Sequence, residues 1–155
     1  MPAVRWVLDA ILGRDQTGAG APATMAAVEE QFRRMVFNIV TRNQDDHVKN
    51  IAFLMNKQGE WSLAPAFDMT YSYNPSGLWT ATHQMTQNGK RDGFTQEDFA
   101  TCARSALMKR GRAATIIDEV LAAVKRWPEF SGEARLADEW RDKIQKTHRR
   151  SFPKK

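Results

Sequence analysis

Between Val28 and Val40 the apolar residues Val28, Phe32, Met35, Val36, Ile39 and Val40 fall on one side of a helix, and that stripe limits the chain's folds more than any other feature. A helix with a single apolar face has to bury it against another element, so the rest of the chain is expected to pack around this one. Thr24 stands where a helix needs a capping hydroxyl. The helix runs directly into "RNQDDHVKN", Arg42 to Asn50, a crowded polar stretch that reads either as a turn or as an active site.

Upstream, Val4, Val7, Leu8, Ile11 and Leu12 recur at helical spacing, and "GRDQTGAGAPA" breaks regular structure. Residues 1–23 are therefore predicted to be a helix and a linker. Downstream, "IAFLMN" and "EWSLA" are short apolar runs separated by "KQG", with Gly59 placed for a positive φ, and predict a β-hairpin. "TYSYNPSGLWTATHQMTQNGKRDG" is rich in turn residues and aromatics and predicts an extended, loop-dominated segment. Beyond it, Thr95 and Asp98 have the spacing of a capping box, and Phe94 and Phe99 that of a hydrophobic staple. A helix is then expected through Ile116, Ile117, Val120, Leu121, Val124 and Trp127, stopped by Pro128. Leu136, Trp140 and Ile144, four apart, mark a last helix. The expected fold is mainly α (α+β): one domain over residues 1–155, with a core over 24–130 and a basic helix and tail over 131–155.

A chain of 155 residues suffices for one core, and 42% apolar with 26% charged residues is an ordinary balance for a globular protein. "AVRWVLDAIL" is interrupted by Arg5 and Asp9 and is too short to span a bilayer or act as a signal peptide, so a cytoplasmic location with no membrane contact is the default expectation. Cys102 is the only cysteine, which excludes an intrachain disulfide and a cysteine-based zinc site. Of the net charge of +5, residues 132–155 supply +4, through eight basic and four acidic side chains. Such a basic end suits either nucleic acid or an acidic partner, or else a solvated helix terminus.

Asp45 and Asn50 are five apart, the spacing of the Asp and Asn in a kinase catalytic loop, and Asp68 lies 18 residues further on. Phosphoryl transfer needs a carboxylate to orient and deprotonate the attacking hydroxyl, and hard oxygen ligands to hold magnesium on the phosphates. Asp45 suits the first task; Asn50 and Asp68 suit the second. A hairpin between them would return Asp68 to the neighbourhood of Asn50, and Pro65 would stiffen the approach to it. The spacing alone also fits a polar turn.

The longer stretch "FRRMVFNIVTRNQDDHVKNIAFLMNKQGEWSLAPAFDMTYSYNP" resembles the C-terminal part of HipA-like serine/threonine kinases, the toxins of bacterial toxin-antitoxin pairs. The shared pattern is N-x-D-x-H-x-K-N, then a hairpin, then L-x-P-x-[YF]-D, over Phe32 to Asp68. The resemblance implies a kinase-like helical C-lobe whose hairpin carries the metal site, with Asp45 as catalytic base, Asn50 and Asp68 as magnesium ligands, and ATP as phosphate donor to a protein hydroxyl. It also implies a DNA-binding antitoxin as partner.

Other polar residues have more modest expected roles. Asp46 is read as a solvated carboxylate that shapes the loop, and His47 as hydrogen-bonded within the loop. Lys49 either neutralises phosphate charge or pairs with Asp46. Asn43 is expected to bond loop backbone, and His83 and Lys90 to belong to a surface loop with ordinary turn chemistry. The glycine-rich loop, strand lysine and partner glutamate of a kinase are not found among the 44 residues ahead of Asp45. "GAG" at Gly18 to Gly20 reads as linker. An active kinase would thus need a separate N-terminal lobe. The alternative from another class is a non-catalytic helical module that binds an antitoxin or nucleic acid through the basic end near Arg149 and Arg150.

Overall fold

Helix α1, Met25–Thr41, is the central element of the computed structural model, which describes residues 24–155. The helix and linker expected over residues 1–23 lie outside the described residues. Thr24 sits in extended backbone and its hydroxyl accepts from the Ala27 amide at 3.3 Å, satisfying one of the open amides of the first turn. All six stripe residues are buried and form one cluster with Phe94, Phe99, Cys102, Ala103, Ala106, Ile116 and Val120. Fully burying each large side chain contributes about 1.5–3 kcal/mol. α1 ends where Arg42 turns left-handed, at φ 63°, and points its amide back to the Asn38 carbonyl.

A single 3-10 turn, Val48–Asn50, precedes strands β1, Phe53–Met55, and β2, Trp61–Leu63. They pair antiparallel, with Phe53 opposite Leu63 and Met55 opposite Trp61, as the predicted hairpin requires. Its turn is built by Asn56, whose side-chain oxygen accepts from the Gln58 and Glu60 amides at 2.9 Å each, and by Gly59 at φ 82°. The stretch from Pro65 to Thr95 has no helix or strand; its ladder contacts are the isolated bridges Asn43 to Ser72 and Gln87 to Lys90.

Three packed helices follow, α2, Gln96–Ser105, α3, Arg112–Lys125, and α4, Trp127–Glu133, and then α5, Asp138–Thr147. Among the described residues the fold is therefore mixed α and β, mostly helical. α3 lies along α1, and the Arg33–Glu119 and Arg112–Glu29 pairs bridge the two at 2.6 and 2.8 Å. α2 starts with the expected capping box of Thr95 and Asp98. Phe94 and Phe99 meet at 6.5 Å between ring centroids.

Two helix boundaries differ from expectation. Trp127 opens α4 instead of closing α3, because its indole Nε1 donates to the Arg141 carbonyl at 3.0 Å on α5. Pro128 accordingly stands in the first turn of α4, where its missing amide proton costs nothing. Leu136 precedes α5, and Trp140 is half exposed beneath Lys143 at 4.4 Å. Ile144 is the residue of that triplet that reaches the interior.

Asp98 ties the loop segment to α2. It accepts from Lys90 Nζ at 2.7 Å, from Asn88 at 2.8 Å and from the Thr95 amide at 2.8 Å. Burial on its own would raise its carboxyl, but these donors outweigh it and hold the group at about 2 instead of 3.8. Asp98→Asn should cost about 2 kcal/mol at pH 6. Because the folded carboxyl is the more acidic, that stabilisation is full above 3.8 and is lost as pH falls toward about 2. Urea denaturation of the two proteins should therefore converge over that interval.

Candidate active site

The left-handed turn at Arg42 drops Asn43 into the interior, with 2% of its surface exposed. Its side-chain amide donates to Asn38 Oδ1 at 3.2 Å and to the Asp68 carbonyl at 3.1 Å. The backbones run together here as well, since the Gln44 amide donates to the Ser72 carbonyl at 3.3 Å and the Ser72 amide to the Arg42 carbonyl at 3.2 Å. Asn43 thus bonds backbone, but that of the returning segment and not of its own loop. The segment after the hairpin is held against the end of α1.

This brings Asn50 and Asp68 together. The Asn50 amide nitrogen donates to Asp68 Oδ2 at 2.8 Å and to the Asp45 carbonyl at 3.2 Å. Asp68 adopts a left-handed φ of 54°, which is costly for a non-glycine residue and is held in place by Asn43 on its carbonyl. The Asp45 carboxylate is about half exposed at 48%, and His47 Nε2 lies 3.9 Å from its Oδ1. Lys49 is exposed on the 3-10 turn.

Both amide hydrogens of Asn50 are spent on those two acceptors, and among the described residues neither its Oδ1 nor Asp68 Oδ1 has a hydrogen-bond partner. Two hard oxygens suit magnesium, which takes one or two protein ligands and completes its shell with water and phosphate. Among the described residues no group of three or more His, Cys, Asp or Glu side chains could hold a metal ion by itself. Beneath the pair lies a cavity of about 20 Å³, large enough for one water, lined by Gln31, Asn43, His47, Asn50 and Asp68 among others. Gln31 Oε1, Asn43 Oδ1 and His47 Nδ1 are buried there without a partner among the described residues.

Two expectations are overturned. Asp46 is not solvated: it is 5% exposed, and its carboxylate accepts from the Gln84 amide at 2.7 Å and meets His83 Nδ1 at 2.9 Å. It is therefore paired with His83 and not with Lys49. His83 does not sit on a surface loop but is fully buried, edge-on to Phe94 at 5.5 Å. The reason is compensation, since a buried carboxylate is tolerated only when its oxygens are bonded, and the chain from Thr82 to Gln84 supplies both donors. Lys90 is partly exposed but engaged by Asp98. No periodicity or local spacing could have paired Asp46 with a histidine 37 residues away; the one hint was an imidazole in a segment otherwise rich in turn residues.

A helical core that ends in an acid-rich loop, closed by a hairpin that returns an aspartate to an asparagine, defines a class of two-part polar site. The family described as HipA-like C-terminal domain matches residues 12–127, and the chain belongs to that family. No curated protein matches the sequence. Among the described residues no helix is long and apolar enough to cross a membrane.

Asn43→Ala would leave Asn38 Oδ1 and the Asp68 carbonyl without their donor. It should destabilise the fold by roughly 2–3 kcal/mol in chemical denaturation, and move the backbone amide resonances around Asp68 and Ser72 more than those of α3.

Proposed function

We propose that this chain is the C-terminal lobe of a HipA-like protein serine/threonine kinase, which transfers the γ-phosphate of ATP to a protein hydroxyl. The observation that carries the reading is the 2.8 Å contact between Asn50 and Asp68, with the Asp45 carbonyl on the same amide. The Asn50 and Asp68 side chains meet, and the main chain of Asp45 is joined to them. Membership of the HipA-like C-terminal domain family supports the same reading.

In this reading Asp45 orients the acceptor hydroxyl and takes its proton as the oxygen attacks phosphorus. Its exposure leaves the carboxylate open to a protein substrate. Asn50 Oδ1 and Asp68 would hold magnesium, which when bound would offset the negative charge of the phosphates. Asn43 supports Asp68 through its carbonyl, and Lys49 is free to approach phosphate. The hydrophobic residues next to the pair in sequence, Val48, Phe67 and Met69, and Leu54 and Met55 on β1, are exposed. They suit a covering N-terminal lobe that completes the ATP pocket.

A DNA-binding antitoxin remains the expected partner of a protein in this family. The alternative of a nucleic-acid contact at the basic end has less to work with, because the Arg149 side chain is turned inward at 13% exposure. Arg135, Lys143, Lys146, Arg150, Lys154 and Lys155 are the exposed cations of that end.

The isolated chain should transfer little or no phosphate and gain activity when a matching N-terminal lobe is supplied with ATP and magnesium. Asp45→Asn should then lower the transfer rate by roughly a hundredfold or more, and Asp68→Ala should raise the magnesium needed for half-maximal rate. Equal transfer by Asp45→Asn would remove Asp45 from its role as base. Leu54→Ser with Met55→Ser should weaken capture of the added lobe in a pull-down while leaving the thermal unfolding temperature of the chain nearly unchanged.

A further inference from the structure

Past α5 the chain does not leave the fold. The Thr147 carbonyl accepts from Arg42 Nε at 3.0 Å, and the Arg149 amide donates to the Val40 carbonyl at 3.0 Å. The Gln96 amide and side chain donate to the Pro153 and Phe152 carbonyls at 2.9 and 3.0 Å, and the Phe152 ring packs on Phe99 at 4.8 Å. This strap runs from the end of α1 to the start of α2. The family match ends at residue 127, well before it.

From the strap the Arg149 guanidinium reaches under the loop segment. Nη1 lies 3.3 Å from His83 Nε2, Nη2 is ion-paired with Asp92 Oδ1, and the group stands over the Phe94 ring at 5.4 Å. A guanidinium carries only donors, so His83 Nε2 must be the acceptor. The proton of a neutral ring is then on Nδ1, which donates to Asp46 Oδ2 at 2.9 Å. Arg149, His83 and Asp46 form one directed chain of hydrogen bonds, with the second Asp46 oxygen held by the Gln84 amide. The peptide that leads out of Asp45 is the one that leads into Asp46, so fixing Asp46 fixes the backbone that aims the Asp45 carboxylate.

We propose that Arg149 is a positioning residue for Asp45, acting through His83 and Asp46, so that the C-terminal strap holds the reactive loop in place. This rests on the reading of Asp45 as the base. The link itself is local chemistry and stands apart from that reading.

The test uses the full chain in two arms. In the first, the side-chain 15N shifts of His83 and the backbone amide shifts of residues 45–50 are read by NMR in the wild type and in Arg149→Met, Arg149→Lys and Arg150→Met. The wild type should show Nδ1 protonated and Nε2 bare. Arg149→Met should release the ring to a mixture of tautomers and shift the 45–47 amides, Arg149→Lys should keep most of the wild-type pattern, and Arg150→Met should change neither. If Arg149→Met does not fold, as circular dichroism would show, Asp46→Asn replaces it, since it cuts the chain at its other end; the ring should again lose its fixed tautomer and the same amides should move. Unchanged loop amides in a folded variant, or an equal effect from Arg150→Met, overturn the proposal.

In the second arm, phosphate transfer is measured with a supplied N-terminal lobe. Arg149→Met should lower kcat by about tenfold or more with KM for ATP nearly unchanged, and Arg149→Lys should recover most of the rate. A lower affinity with kcat intact would mean that the strap acts on binding and not on Asp45. Absence of transfer by the wild type would fail the kinase reading, while the first arm would still decide whether the strap orders the loop.

Discussion

One buried amide, that of Asn43, sets the geometry on which the site depends. It joins Asn38 on α1 to the backbone at Asp68, and so links the helix that forms the core to the segment that follows the hairpin. A backbone carbonyl drawn out of water needs a donor, and an amide already held by the end of a helix supplies one without a mobile partner. Everything nearer the surface follows from that link: the left-handed turn at Asp68, its contact with Asn50, and the common attachment of Asn50 to Asp45.

The polar residues divide by what burial demands of them. Asp45 and Asp68 keep access to solvent. Asp46, one residue from Asp45, is enclosed and bonded on both oxygens. In an environment of low polarity an unbonded carboxylate would be very costly, so the surrounding chain is organised to serve it. The stretch from Ala81 to Gly93 has no regular secondary structure but is far from loose, because it carries His83 and Gln84 to Asp46 and sends Lys90 to Asp98. The basic end is likewise part of the fold: Phe152 fills the core beside Phe99, and Arg149 lies beneath the loop.

The sequence by itself determined the elements governed by neighbours along the chain. The stripe on α1, the Thr24 cap, the Thr95 and Asp98 box, the Phe94 staple and the Gly59 turn all rest on separations of a few residues, where 3.6-residue periodicity and turn chemistry act directly. The hairpin between Asn50 and Asp68 was legible too, and with it the meeting of those two side chains, since a short hairpin is the simplest way to close the distance between them. Only the tertiary structure decided the burial of Asp46 and His83, the placement of Trp127 on α4 and the inward turn of Arg149. Each of these depends on a partner far away in the chain, Asp46 with His83, Trp127 with Arg141, and Arg149 with His83 and Asp92. The charge or polarity of a side chain fixes what partner it needs once buried, but the packing of the core fixes which side chains are buried, and that is settled only when the helices have met.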